Sequence, residues 1–96
     1  MNESALPTAQ RDRIKRIAAA HGAQNIRLFG SFARDAAGPE SDVDLLITLE
    51  AGRTLLDLIA IKQDLEDLLG RRVDVVTERS LSPYIRDHIL AEARPL

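Results

Sequence analysis

The sequence predicts an α/β (α+β) chain, a small mixed β-sheet flanked by helices, in the order αβ(α)βαβα. Three observations carry this expectation. Leu55, Leu58, Ile61, Leu65 and Leu68 recur at helical spacing, between a Thr54–Asp57 capping pair and a terminating Gly70. Two short β-type runs, residues 42–48 and 73–76, stand on either side of that helix. The first run alternates, with Val43, Leu45 and Ile47 on one face and Asp42 and Asp44 on the other.

The elements follow in order. Residues 1–7 read as a loose N-terminal tail ahead of a single domain covering the whole chain. Thr8 is placed to cap a helix running to about Ala20, with Ile14, Ile17 and Ala18 on its apolar side, His21 in its last turn and Gly22 as its stop. Residues 25–29 form a short strand ending at Gly30. Residues 31–37 suit a short helix, and residues 38–41 (Gly-Pro-Glu-Ser) a turn. After the long helix, Arg71-Arg72 leads into the strand at Val73. Ser82-Pro83 then opens a last helix carrying Ile85, Ile89, Leu90 and Ala93.

Composition narrows the function classes. The chain has 96 residues and a net charge of −2, so no overall positive field draws it to nucleic acid. Phe29, Phe32 and Tyr84 are the only aromatic residues, too few for a base-stacking platform. No cysteine is present, which removes disulfides and thiolate metal sites and permits a reducing compartment. The N-terminus shows no apolar signal region, and no run approaches the ~18 apolar residues of a membrane span. A cytoplasmic location is the expectation.

The helix of about fifteen residues between the second and third strands has the length of a right-handed βαβ crossover, so those strands should be parallel. Parallel strands start at the same end of a sheet. Asp42, Asp44 and Asp74 therefore converge. The link from Phe29 to Asp42 is too short for a crossover, so the first strand should run antiparallel and bring Gly30-Ser31 beside Asp42. Crowded carboxylates repel one another, and Mg²⁺, which prefers oxygen ligands and keeps phosphates in its shell, relieves that repulsion. Residues i and i+2 on a strand lie ~6.6 Å apart at Cα, which allows their side chains to straddle two metal ions. Gly30 lets a phosphate approach the backbone, Ser31 opens a helix whose N–H groups attract anions, and Arg34 lies one turn on. The chemistry these residues assemble is a nucleoside triphosphate, two Mg²⁺ ions and attack on phosphorus.

Each part alone has a plain structural reading. Asp-x-Asp commonly makes a turn, Ser31 a helix cap, Asp74 an edge-strand residue and Arg34 a solvated charge. Their joint order on expected strands carries the argument. His21 reads as a helix-terminal residue, His88 as a helix-surface one, Tyr84 as packing, and Arg71-Arg72 as a solvated pair.

Gly30-Ser31-x-Ala33-Arg34, then Ser41-Asp42-x-Asp44-Leu45, then an aspartate in a third strand, resemble the nucleotidyltransferase superfamily of the DNA polymerase beta type. The short length, and Pro83-Tyr84-Ile85-Arg86 through Glu92-Ala93, resemble its minimal nucleotidyltransferase (MNT) members. The resemblance covers about residue 26 to the C-terminus. It implies that Asp42 and Asp44 hold both metals, and that Asp74 binds the catalytic metal and helps activate the attacking hydroxyl. It further implies that Gly30 and Ser31 bind the β- and γ-phosphates of ATP, with Arg34 in support. Asp35 departs from the pattern, standing where such proteins often carry glycine. MNT proteins typically pair with an all-helical HEPN toxin as its antitoxin, and the resemblance implies AMP transfer to a toxin tyrosine, with any oligomer formed through the toxin. Two rivals stand beside this: an antitoxin that neutralises by binding alone, with a vestigial site, and a transferase acting on a small molecule of the aminoglycoside kind. The missing acceptor domain counts against the second.

Overall fold

A computed structural model describes residues 6–96. Helix α1 spans Thr8–Ala20 and buries Ile14 and Ala18. Pro7 takes the cap position with no side-chain bond, so Thr8 is the first helical residue rather than the expected cap. The carbonyl of Pro7 accepts the Arg11 N–H at 3.0 Å. Of the expected tail, residues 1–5 lie outside the described residues. Leu6 packs into the core at 3% exposure.

Strand β1 (Ala23–Phe29) begins two residues earlier than the sequence suggests. Its register with the next strand shifts between Gln24 and Arg27, and Asn25 there has φ 52. Asparagine tolerates the left-handed conformation that such a bulge needs. The helix expected over residues 31–37 reduces to one 3-10 turn, Gly30–Phe32. Asp35 ends the segment in left-handed conformation at φ 57.

Strand β2 (Val43–Leu49) leads to helix α2 (Leu55–Leu69), whose capping box uses Thr54 and Asp57 as expected and whose C-cap is Gly70 in left-handed conformation. Asp42 falls just before β2 rather than inside it. Strand β3 (Val73–Thr77) and a 3-10 turn (Glu78–Ser80) precede helix α3 (Pro83–Glu92). Ser82 sits at the cap of α3 but makes no side-chain bond there. A two-residue strand β4 (Arg94–Pro95), absent from the sequence reading, closes the described chain.

The sheet order is β3-β2-β1-β4. β1 is antiparallel to β2 and to β4, and β2 is parallel to β3, the mixed topology expected. Both β2 flanks are therefore paired, which keeps the central strand and its aspartate from slipping. The main core gathers Ile14 and Ala18 from α1, Ile61 and Leu65 from α2, and Val43, Leu45, Ile47 and Val73 from the sheet. Leu46 is also fully buried, so apolar cover extends to the second face of β2 beyond Asp44. Among the described residues no helix is long and apolar enough to cross a membrane.

Candidate active site

Asp44 is the centre of the site because three strands fix it. It is the register partner of Phe29 in β1 and of Asp74 in β3. Direct partners across a ladder project to the same face, so Asp44 and Asp74 converge as the topology required. Gly30 follows Phe29 immediately, at φ 74, and is so close that a Cβ there would lie 2.2 Å from Asp44 Oδ2. The backbone turn and the carboxylates thus form one cleft.

Burial pushes the Asp44 carboxyl up to about 6, reinforced by the charges of Asp74 and Asp42, a hydrogen bond with Asp74 and the charge of Glu92. A carboxylate so placed holds unrelieved negative charge. Asp42, one residue outside the strand, pairs with Arg72 Nε at 3.3 Å on the exposed rim.

Neighbouring groups hold these positions. Arg71 donates to the carbonyls of Gly38 (3.3 Å) and Ser41 (3.0 Å), and its guanidinium stands 5.0 Å from the centre of the Phe32 ring. It therefore clamps the turn before Asp42, a defined structural task in place of the solvated charge expected. The Val73 N–H donates to Glu66 and the Val73 carbonyl accepts from Lys62, which pins the start of β3 beside Asp74. The Val73 N–H and Lys62 hold the Glu66 carboxyl below its ordinary range. His21 reaches Asp64 of α2 at 3.1 Å and so ties α1 to α2, away from the site.

Arg34 bonds to Glu92 at 2.9 Å, and the Gly30 N–H donates to the other oxygen of the same carboxylate at 2.8 Å. Those bonds hold the Glu92 carboxyl below its usual range, the Gly30 N–H contributing most. Sequence reasoning gave Glu92 no role. An acidic residue that meets its partners 62 and 58 positions away leaves no local signal.

Among the described residues no group of three or more acidic, histidine or cysteine side chains is arranged as a ready metal cage. The donor set nonetheless fits a hard divalent ion. Asp44 and Asp74 are register partners that offer only oxygen, and the raised Asp44 carboxyl marks negative charge in want of a cation. Asp42 is half-exposed on the same side and would have to leave Arg72 to join them. A separate groove of about 670 Å³, lined by Leu49, Arg53, Leu58 and Arg79 among others, lies at the far end of β2 and β3 and contains none of the aspartates.

The sequence matches the nucleotidyltransferase domain family over residues 11–96. Among curated proteins, it is 44% identical over 73 residues to a Methanocaldococcus jannaschii protein provisionally named a protein adenylyltransferase, covering 76% of this chain and 78% of that one. It is 42% identical over 71 residues to the protein adenylyltransferase MntA of Thermococcus cleftensis, covering 74% and 72%. A solved structure provisionally described as a minimal nucleotidyltransferase shares 51% identity at a TM-score of 0.83, over 92% of this chain and 90% of that one. A toxin–antitoxin structure with AMP-PNP shares the fold at a TM-score of 0.77 and 22% identity, covering 88% and 70%. With the family matched over nearly the whole chain and the mixed sheet shared by its solved relatives, the chain belongs to the nucleotidyltransferase domain family and is a nucleotidyltransferase.

Proposed function

We propose that this chain transfers AMP from ATP to a hydroxyl, a tyrosine for preference, of a HEPN-type toxin and serves as that toxin's antitoxin. The observation that carries the reading is the register pairing of Asp44 with Asp74 against the Gly30 turn. The names of its relatives support it: protein adenylyltransferase for the Thermococcus protein, and an AMPylated HEPN toxin with an MNT antitoxin for one solved neighbour of the same fold.

In this reading Gly30, Ser31 and Arg34 hold the β- and γ-phosphates, and Asp42, Asp44 and Asp74 would hold two Mg²⁺ ions. Bound there, Mg²⁺ supplies charge neutralisation between the carboxylates and the phosphates. The acceptor oxygen bonds to the α-phosphorus while the bond from that phosphorus to its bridging oxygen breaks, releasing pyrophosphate. Asp74, exposed beside Asp44, receives the hydroxyl proton. Arg34 offers its remaining N–H groups to the phosphate charge.

A binding-only antitoxin has one observation in its favour. Leu55, Leu56, Ile59, Tyr84 and Ile85 are exposed large side chains, on α2 and α3, that could serve as contacts. One experiment separates the two readings. The pure chain is incubated with Mg²⁺, ATP labelled at the α-phosphate and a HEPN-type protein from the same organism. Label on the partner that disappears with Asp44→Asn supports the transferase. A stable complex that never takes label supports the binding antitoxin.

A further inference from the structure

Helix α3 is the last helix of the chain, and Ile89 is its one buried residue among those described. A turn later stands Glu92, whose side chain is 16% exposed. Its two oxygens are divided. Oε2 accepts the Gly30 N–H at 2.8 Å, and Oε1 accepts Arg34 Nη1–H at 2.9 Å. His88 Nε2 stands 3.8 Å from Oε1, and Asp44 is the nearby carboxylate that feels the charge of Glu92.

The two donors belong to the segment that binds phosphate in the proposed function. Arginine is a long side chain that loses rotamer freedom when it grips a ligand, and an arginine already held loses less on binding. Glu92 occupies one of its five N–H groups and leaves the others on a side chain that is 54% exposed. The carboxylate, on a side chain 16% exposed, is bound to a backbone amide as well as to the arginine. Leaving those donors would cost it both bonds, which separates it from a surface anion that substrate simply displaces.

We propose that Glu92 is a positioning residue for nucleotide capture: it holds the Gly30–Ser31 turn and the Arg34 guanidinium in place for the triphosphate, acting through them without touching the substrate. This rests on the reading of residues 30–34 as the nucleotide-binding segment. It also makes α3 a structural part of the grip, since the helix anchors the carboxylate that aims the arginine.

The test measures binding of AMP-PNP with Mg²⁺ to the full chain by calorimetry, together with thermal melting of each variant. Glu92→Ala is expected to raise Kd at least about fivefold, and Glu92→Gln, which keeps one acceptor, to raise it less. In an Arg34→Ala background the same Glu92 change should raise Kd by a smaller factor than in the wild type, because one of the two groups it positions is gone while the Gly30 turn remains. A merely structural glutamate would multiply Kd equally in both backgrounds, and that additivity overturns the proposal. An unchanged or tighter Kd in Glu92→Gln also overturns it, marking the carboxylate as a bystander or a competitor of phosphate. Should Glu92→Ala fail to fold, Glu92→Gln, of nearly the same shape, carries the comparison. If the wild-type chain binds no AMP-PNP, the nucleotide reading falls and this inference with it. If wild type binds and Arg34→Ala weakens binding while Glu92 variants do not, only this inference falls.

Discussion

Gly30 lies against the Asp44 carboxylate, so close that its missing Cβ is the room in which Asp44 Oδ2 sits, 2.2 Å from where that Cβ would stand. Its φ of 74 adds a second demand for glycine. Gly30→Ala should therefore strain the turn and push the carboxylate from its place. The expected cost is about 2–4 kcal/mol, from left-handed backbone and overpacking together. Tm should fall by roughly 10 °C or more, and AMP transfer should fall with it. A variant that melts and transfers as wild type does would show that Asp44 has room to move.

Asp42→Ala should separate chemistry from stability. Its pairing with Arg72 is on the rim, with Arg72 81% exposed, and a pair of that kind is worth less than about 1 kcal/mol. Tm should move by only a few degrees. Transfer should drop roughly a hundredfold or more if Asp42 holds metal. Wild-type transfer by this variant would remove Asp42 from the site.

The raised Asp44 carboxyl makes the metal-free chain pH-sensitive in a defined direction. Its folded value of about 6 exceeds the ordinary 3.8, so between those values the folded state holds more protons than the unfolded one. Stability contributed by this group therefore falls as pH rises from about 4 to about 6. Asp44→Asn should flatten that part of the stability profile in metal-free melts. Affinity for Mg²⁺ should move the opposite way, weakening as pH falls below 6, because the ion must displace the Asp44 proton. Melting curves with and without Mg²⁺ across pH 4–7 test both; a metal-free profile unchanged by Asp44→Asn would exclude this carboxyl as the cause.

Much of this site is legible in the sequence because it depends on short-range rules. The Thr54–Asp57 capping box and the helix length dictate a crossover, the crossover dictates parallel strands, and those place Asp44 opposite Asp74. What escapes is long-range or conformational. Glu92 and Gly30 meet only through the fold. β4 is two residues with a proline, which has no strand pattern of its own. The helix expected over 31–37 collapses to a 3-10 turn because Asp35 adopts left-handed backbone and ends it. Arg71 reads as a surface charge because its carbonyl partners, Gly38 and Ser41, are supplied by a distant turn.

Arg71→Ala should loosen that turn. Two hydrogen bonds from a charged donor and a contact over Phe32 are lost together, with an expected cost of about 1–2 kcal/mol. Arg71→Lys should recover only part of the loss: a single ammonium nitrogen can donate to both carbonyls, as Nη1 does, but it lacks the planar face that lies over the Phe32 ring. Full recovery of Tm by lysine would mean that charge alone holds the turn.

Asp35 gives the last expectation, and two effects oppose each other in it. At φ 57 the backbone is where glycine is at ease, and aspartate is among the residues that tolerate it best. Asp35→Gly relieves a small strain but raises the entropy of the unfolded chain by a comparable amount. The ion pair it gives up is weak, since Arg94 Nη1 stands 4.0 Å away and both side chains are mostly exposed. Tm should therefore change by no more than about 3 °C. Binding is different, because nothing there cancels. Removing a negative charge one residue after Arg34 should tighten AMP-PNP binding by roughly two- to threefold at low salt, an advantage that shrinks as salt is raised. Calorimetry at two ionic strengths checks this. A gain in affinity that ignores salt would point to the backbone at residue 35, and not its charge, as what limits the grip on phosphate.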